Sequence, residues 1–242
     1  MSVTRIISRS SKSQLQEKIA AGTQALEDYL DLADLLVCEE KYQEAVKLLE
    51  SASNLSFSKI HQARVVLELG WLIYNVDEPS KALPLADRTF EALSNEPESW
   101  ELMFYKGLGL SLVAHCVWLT DNQAATEAAL GGLTLFERLI EEAPEFDQVT
   151  VVQYEAARIC NLVGRTERSV QLCAKCLEQT LTDEHRLSCL IMYEEALRRE
   201  EQFVEAEHVL KEALDNVKID ARMLPRIHFE LGCTYRDTGQ LF

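Results

Sequence analysis

Apolar residues recur along this chain at steps of three and four. In the run YLDLADLLVCEEKYQEAVKLLESA, Tyr29, Leu32, Ala33 and Leu36 fall on one helical face, and Tyr42, Ala45, Leu49 and Ala52 fall on another, since residues three and four apart stack on one side of an α-helix. Ala, Leu, Glu and Gln are plentiful, and only 9 Gly and 5 Pro interrupt 242 residues. Long runs therefore pass without a breaker, which favours helix over strand. The expected fold class is all-α.

The same pattern returns along the chain. Aligning on a small residue followed twelve positions later by another small one sets Ala33 with Ala45, Gly70 with Ala82, and Ala157 with Ser169. LELGWLIYNVDEPSKAL carries it in Leu69, Gly70, Ile73 and Ala82. Ala157, Cys160, Gly164 and Ser169 carry it again, as do Tyr193, Leu197, Phe203, Ala206, Leu210 and Ala213, and then Leu231, Gly232, Tyr235 and Gly239. This resembles the tetratricopeptide repeat, in which an aromatic residue, a Leu-Gly pair, a Tyr, an Ala, a Phe and a Pro mark two antiparallel helices. The small residues remove bulk where the helices cross. One hairpin cannot bury its apolar face alone, so the resemblance implies a right-handed α-solenoid of stacked helix pairs.

The anchors Ala33, Gly70, Gly109, Ala157, Glu194 and Gly232 are separated by 37, 39, 48, 37 and 38 residues, longer than the family's usual period of about 34. Glu194 departs from the small-residue rule, which makes the fifth repeat the loosest match. In the third repeat Gly109 and Gly132 are 23 apart instead of 12, so its hairpin, over residues 98–143, is expected to be elongated. Shared between two helices, the excess amounts to roughly 8 Å of projection. Trp118, near its tip, has two readings: packing on Ala124, Ala125 and Ala128, or an exposed anchor for a partner. The expected layout is an N-terminal segment 1–24, either partly disordered or an entry helix, then a solenoid 25–242 ending in a half repeat at 221–242.

Composition narrows the function. A formal charge of −16 argues against a surface that tracks nucleic-acid phosphates or anionic lipid. No apolar run reaches the roughly 18 residues of a membrane span. Seven cysteines without framework spacing suit a reducing compartment, and the expected location is cytoplasmic. The opening MSVTRIISRSSK, basic through Arg5, Arg9 and Lys12, faintly resembles a transit peptide; a fraying terminus is the simpler reading. Cys173 and Cys176 form a CxxC without the βαβ context of a redox motif or the second pair of a zinc site, and they occupy apolar core slots of the fourth repeat. The five histidines show no metal spacing, and His228 falls in an aromatic packing slot. Acidic pairs such as Glu141-Glu142 and Glu194-Glu195 read as solvated faces. No catalytic, metal or cofactor site is expected, and the chain reads as no enzyme.

The family resemblance implies a concave groove lined by the first helix of each repeat, holding an extended peptide or a partner helix. Carried onto this sequence, the resemblance implies that its lining includes Asp34, Trp71, Tyr74, Asn75, Lys106, Tyr154, Arg158, Asn161, Arg198 and Arg236, together with Leu67, Leu110, Arg199, Arg226 and Phe229. The family's chaperone-binding clamp needs Lys and Asn where this chain has Leu30, Asp34, Leu67 and Trp71, so that subgroup is disfavoured. The arginines suggest a partner with acidic and apolar side chains, unless they pair with Glu155, Glu195 and Asp237. An architectural subunit, assembling through its ends and its projecting hairpin, is the alternative. Leu231 and Tyr235 occupy slots that a following helix would cover, so the C-terminal edge is expected to be shared with more chain or with another copy.

Overall fold

A computed structural model describes residues 10–179, 181, 183–216 and 223–239; the basic opening through Arg9 lies outside them. Twelve α-helices and no strand are found among the described residues. The chain divides into two compact units, residues 1–135 and 136–242, the division falling inside one helix.

The first unit contains α1 (Lys12–Ala20), α2 (Leu26–Cys38), α3 (Tyr42–Ser53), α4 (Lys59–Val76), α5 (Pro79–Leu93), α6 (Trp100–Val117) and most of α7 (Asn122–Glu142). Its helix starts are written locally. Ser11 forms a capping box with Gln14, Ser58 and Ser99 each accept a backbone N–H of the first turn, and Pro79 opens α5 where its missing N–H costs nothing. Consecutive helices pack from α1 through α6, and α4 also packs on α6. That second contact between alternate helices is how stacked hairpins close one core. Leu30, Leu36, Ala45, Leu49, Val65 and Leu69 fill it, each large side chain worth about 1.5–3 kcal/mol of transfer free energy.

The second unit holds the end of α7, then α8 (Val149–Leu162), α9 (Thr166–Leu177), α10 (Asp183–Arg199), α11 (Phe203–Asn216) and α12 (Leu224–Asp237). From α8 to α12 consecutive helices pack together, and α10 also packs on α8 and α12. Leu187, Ile191, Leu197, Ala206, Leu210, Ile227 and Leu231 form an apolar cluster within it.

The repeat register is visible in the backbone. Glu40, Gly164, Glu201 and Gly239 have φ of 61°, 76°, 59° and 71°, and each stands seven residues after an anchor. In the first three, the following N–H reaches five residues back, from Lys41 to Leu36, Arg165 to Cys160 and Gln202 to Leu197, at 2.8–2.9 Å. This is the left-handed helix stop that satisfies terminal carbonyls. The fifth repeat is thus in register with Glu194 at its anchor. The partners twelve residues on, Ala45, Ala82, Ser169 and Ala206, are all fully buried.

In the third repeat no such stop follows Gly109; α6 runs 18 residues and α7 runs 21. Trp118 is half-buried, while Leu119 beside it is 95% exposed.

Candidate functional site

The ten residues expected in the groove divide between the two units. In the first, Trp71 and Tyr74 on α4 meet edge to face, with ring centres 5.6 Å apart. His115, in the last turn of α6, completes a three-ring cluster at 5.3 Å from Trp71 and 5.9 Å from Tyr74. Its Nδ1 lies 2.8 Å from the Ser111 carbonyl, which orients the ring, and the edge-to-face geometry is the favoured one for aromatic quadrupoles. All three rings are half-buried. Asn75, exposed, donates its amide to the Trp71 carbonyl at 2.6 Å. Lys106 on α6 and Asp34 on α2 are half-buried. His115 was not among the expected residues; it stands six positions past Gly109, off the slots that the resemblance marks, so no local signal pointed to it. Leu67 is buried in the core and lines no surface.

The second unit holds the arginines, and they are not open donors. Arg158 on α8 lies 2.5 Å from Glu155, whose side chain is only 3% exposed. Arg199 pairs with Glu195 at 2.5 Å and also donates to the Asn161 carbonyl at 2.7 Å. Arg236 and Arg198 both reach Asp237 at 2.9 Å. The pairing with Glu155, Glu195 and Asp237 raised as the plain alternative is therefore the geometry found, and for Arg158 and Arg198 the picture of arginines waiting for a ligand carboxylate is corrected, while the Arg236 side chain stays 59% exposed beside Asp237. Asn161 is corrected too: it is buried, and its amide donates to the Met192 carbonyl across to α10. Tyr154 is half-buried, and burial pushes its phenol up to about 12.

Arg198 is the hub of an arrangement that sequence reading missed. Its Nε lies 3.3 Å from Glu194, its Nη2 3.7 Å from Glu230 and its Nη1 2.9 Å from Asp237. Glu194, at an anchor position where the pattern expects a small residue, is fully buried and accepts the Thr234 hydroxyl at 2.7 Å. Reading Glu194-Glu195 as a solvated face fails at Glu194. Desolvation holds the Glu194 carboxyl above the usual carboxylate range, against the opposing pull of Thr234 and Arg198.

At the end of α12, Leu231 is buried and Tyr235 is half-buried, its hydroxyl 3.2 Å from Glu207. The preceding hairpin already covers the two slots expected to stand open. Gly232, Phe229 and His228 are the exposed positions instead, so His228 is not a packing residue.

Cys173 and Cys176 are buried, with Cys189 buried on the adjacent helix. The Cys176 thiol donates to the Thr150 carbonyl at 3.8 Å, and its neighbour Cys189 together with burial pushes it up from the ordinary thiol value. A thiol so held has little thiolate to offer. Among the described residues no group of three or more His, Cys, Asp or Glu is placed to hold a metal ion, and no helix is long and apolar enough to cross a membrane.

No protein-family model matches this chain, and no curated protein matches its sequence. Solved structures do match. Nearly identical TPR-like repeats of a kinesin light chain-type protein from Podosopora anserina are 19% identical, covering 78% of this chain and 92% of theirs at a TM-score of 0.50. A point variant of the same repeats gives 18% identity, 87% and 96% coverage, and the same TM-score. YrrB, described as a TPR protein with an unusual peptide-binding site, is 15% identical over 90% of this chain and all of its own, at a TM-score of 0.44. The in-register anchors, the repeated left-handed stops and the likeness to TPR-like repeats together give this chain the tetratricopeptide fold, an all-α solenoid.

Proposed function

We propose that this protein is a protein–protein interaction module that takes a peptide or partner helix on the first-helix faces of its repeats. The observation that carries this reading is the Trp71–Tyr74–His115 cluster: three half-buried rings from two successive first helices, with exposed Asn75 beside them. Rigid aromatic surface next to a hydrogen-bonding amide is the composition of interface hot spots. Apolar side chains of the partner are the main contact. Acidic ones contribute where they replace Asp237 on Arg236, whose side chain is 59% exposed, rather than by reaching Arg158 or Arg198. The overall negative charge opposes an acidic partner at long range, so its association relies on these local contacts.

Selection of peptides from a random display library on the whole protein tests the idea. Trp71→Ala and Asn75→Arg should each abolish capture of the selected peptides, whereas Lys47→Glu, on a second helix, should leave it intact. Peptides that bind the Trp71 and Asn75 variants as well as the parent would place the site elsewhere. The architectural alternative keeps one observation in its favour, the 95% exposure of Leu119 at the α6–α7 turn. For that reading Leu119→Asp, and not Trp71→Ala, would disrupt assembly.

A further inference from the structure

We propose that α12 is a pH-sensitive latch, tightened on α10 in mild acid and loosened towards alkaline pH by the buried carboxyl of Glu194. The proposal concerns docking within the second unit and is independent of the aromatic face just described.

Five polar groups tie these helices together. Glu194 is fully buried on α10, with one oxygen accepting from Thr234 of α12 and from Arg198. Its other oxygen, Oε2, is buried with no hydrogen-bond partner. Arg198 in turn spans Glu194, Glu230 and Asp237. Three carboxylates thus converge on one guanidinium, and one of them is cut off from water. An ionised carboxylate in that place keeps an oxygen unsolvated and faces a second acid, Glu230, across the helix interface. A protonated one keeps the Thr234 bond, sheds the uncompensated charge and lowers the repulsion.

The surrounding charges agree. Those acting on Glu194 are Arg198 on its own helix and Glu230 on α12; Arg226 on α12 and Glu195 on α10 act on Glu230, and Arg236 holds Asp237. On the other neighbouring helices, Glu155 and Arg158 of α8 are paired with each other, Arg168 of α9 with Glu137, Glu205 of α11 with the Tyr193 hydroxyl, and Glu212 of α11 with Arg186. Glu194 and Glu230 both sit above their ordinary value of 4.5, each chiefly through burial. The docked state therefore holds protons that the free helix has released, so docking weakens as pH rises from that value through the raised ones. Asp237 is shifted the other way, by Arg198 first and Arg236 second, so its contribution is lost only below 3.8, outside the window.

Hydrogen exchange of the full chain reads this directly. After correction for intrinsic rates, protection of α12 relative to α11 should fall several-fold between about pH 5 and about pH 8. Glu194→Gln, neutral and of the same shape, should remove most of that fall and protect α12 at the higher pH. Thr234→Val, which takes a donor from the carboxylate, should deepen it. A parallel response of α11 and α12 would overturn the proposal, as would an undiminished fall in Glu194→Gln or an unaltered one in Thr234→Val.

Discussion

The three anchor glycines invite the same substitution with different outcomes. In an exposed helix interior, Gly→Ala gains about 1 kcal/mol through lost backbone freedom of the unfolded chain. A Cβ on Gly232 meets nothing within 4 Å, so Gly232→Ala should show that gain in full. A Cβ on Gly70 would stand 2.6 Å from Cδ2 of Leu112 and 3.5 Å from Cβ of Leu85. Carbon atoms rest at about 3.5–4.0 Å, so Leu112 must give by nearly 1 Å. Leu112 is fully buried, with no solvent side to move into. Overpacking of this kind costs about 1–3 kcal/mol, and the propensity gain offsets about 1 of that. Gly70→Ala is thus expected to destabilise by about 0–2 kcal/mol, which puts it about 1–3 kcal/mol apart from Gly232→Ala. Gly109→Ala should fall between them, because its obstacle, the Phe90 ring at 2.9 Å, is only half-buried and can swing. Urea unfolding followed by far-UV circular dichroism orders the three, and hydrogen exchange in α4, α6 and α12 locates each change. Equal shifts, or Gly70→Ala stabilising as much as Gly232→Ala, would refute the argument that helix crossing selects the glycine.

Four further outcomes are expected. Glu201→Gly should stabilise by about 1 kcal/mol in urea melts, because it relieves a left-handed φ of 59°; Gly164→Ala, at φ 76° with open space around it, should cost about as much. Arg198→Ala should destabilise the second unit by about 3 kcal/mol, since it strands buried Glu194, and Glu194→Gln in the same chain should recover part of the loss. Asp28 is held below its ordinary value by Lys18 first and Thr23 in support. Its contribution is complete above 3.8 and lost as pH falls through the lowered value, so Asp28→Asn should weaken thermal stability at neutral pH and make no difference in strong acid. Thiol titration of the native chain should label exposed Cys38 quickly and leave buried Cys173 and Cys176 unlabelled until denaturant is added.

Helices, their pairing and their register were legible in the sequence because they rest on local rules. The three-and-four spacing of apolar residues, the small anchors twelve apart and the Gly at Gly164 are each set by backbone geometry within a few turns. The left-handed stop at Glu201, with no glycine to announce it, came to light only in the structure, seven residues past Glu194. What the sequence left undecided was which polar side chains meet, because those partners stand far apart in the chain. Arg198 finds Asp237 39 residues on, and Glu194 finds Thr234 40 residues on. A first-helix slot marked Arg158 and Arg198 as groove residues; the pairing of Arg158 with Glu155 is local and could be raised from the sequence, yet only packing could show that Glu194 beside Arg198 is buried and bound to Thr234. The same holds for His115: the slot pattern named Trp71 and Tyr74 within one helix, whereas the ring that completes their cluster comes from the next first helix. Local periodicity fixes where a side chain starts. Its charge partner and its distance from water are set by neighbours brought in from other helices, and these decide whether it is a structural tie or a binding group.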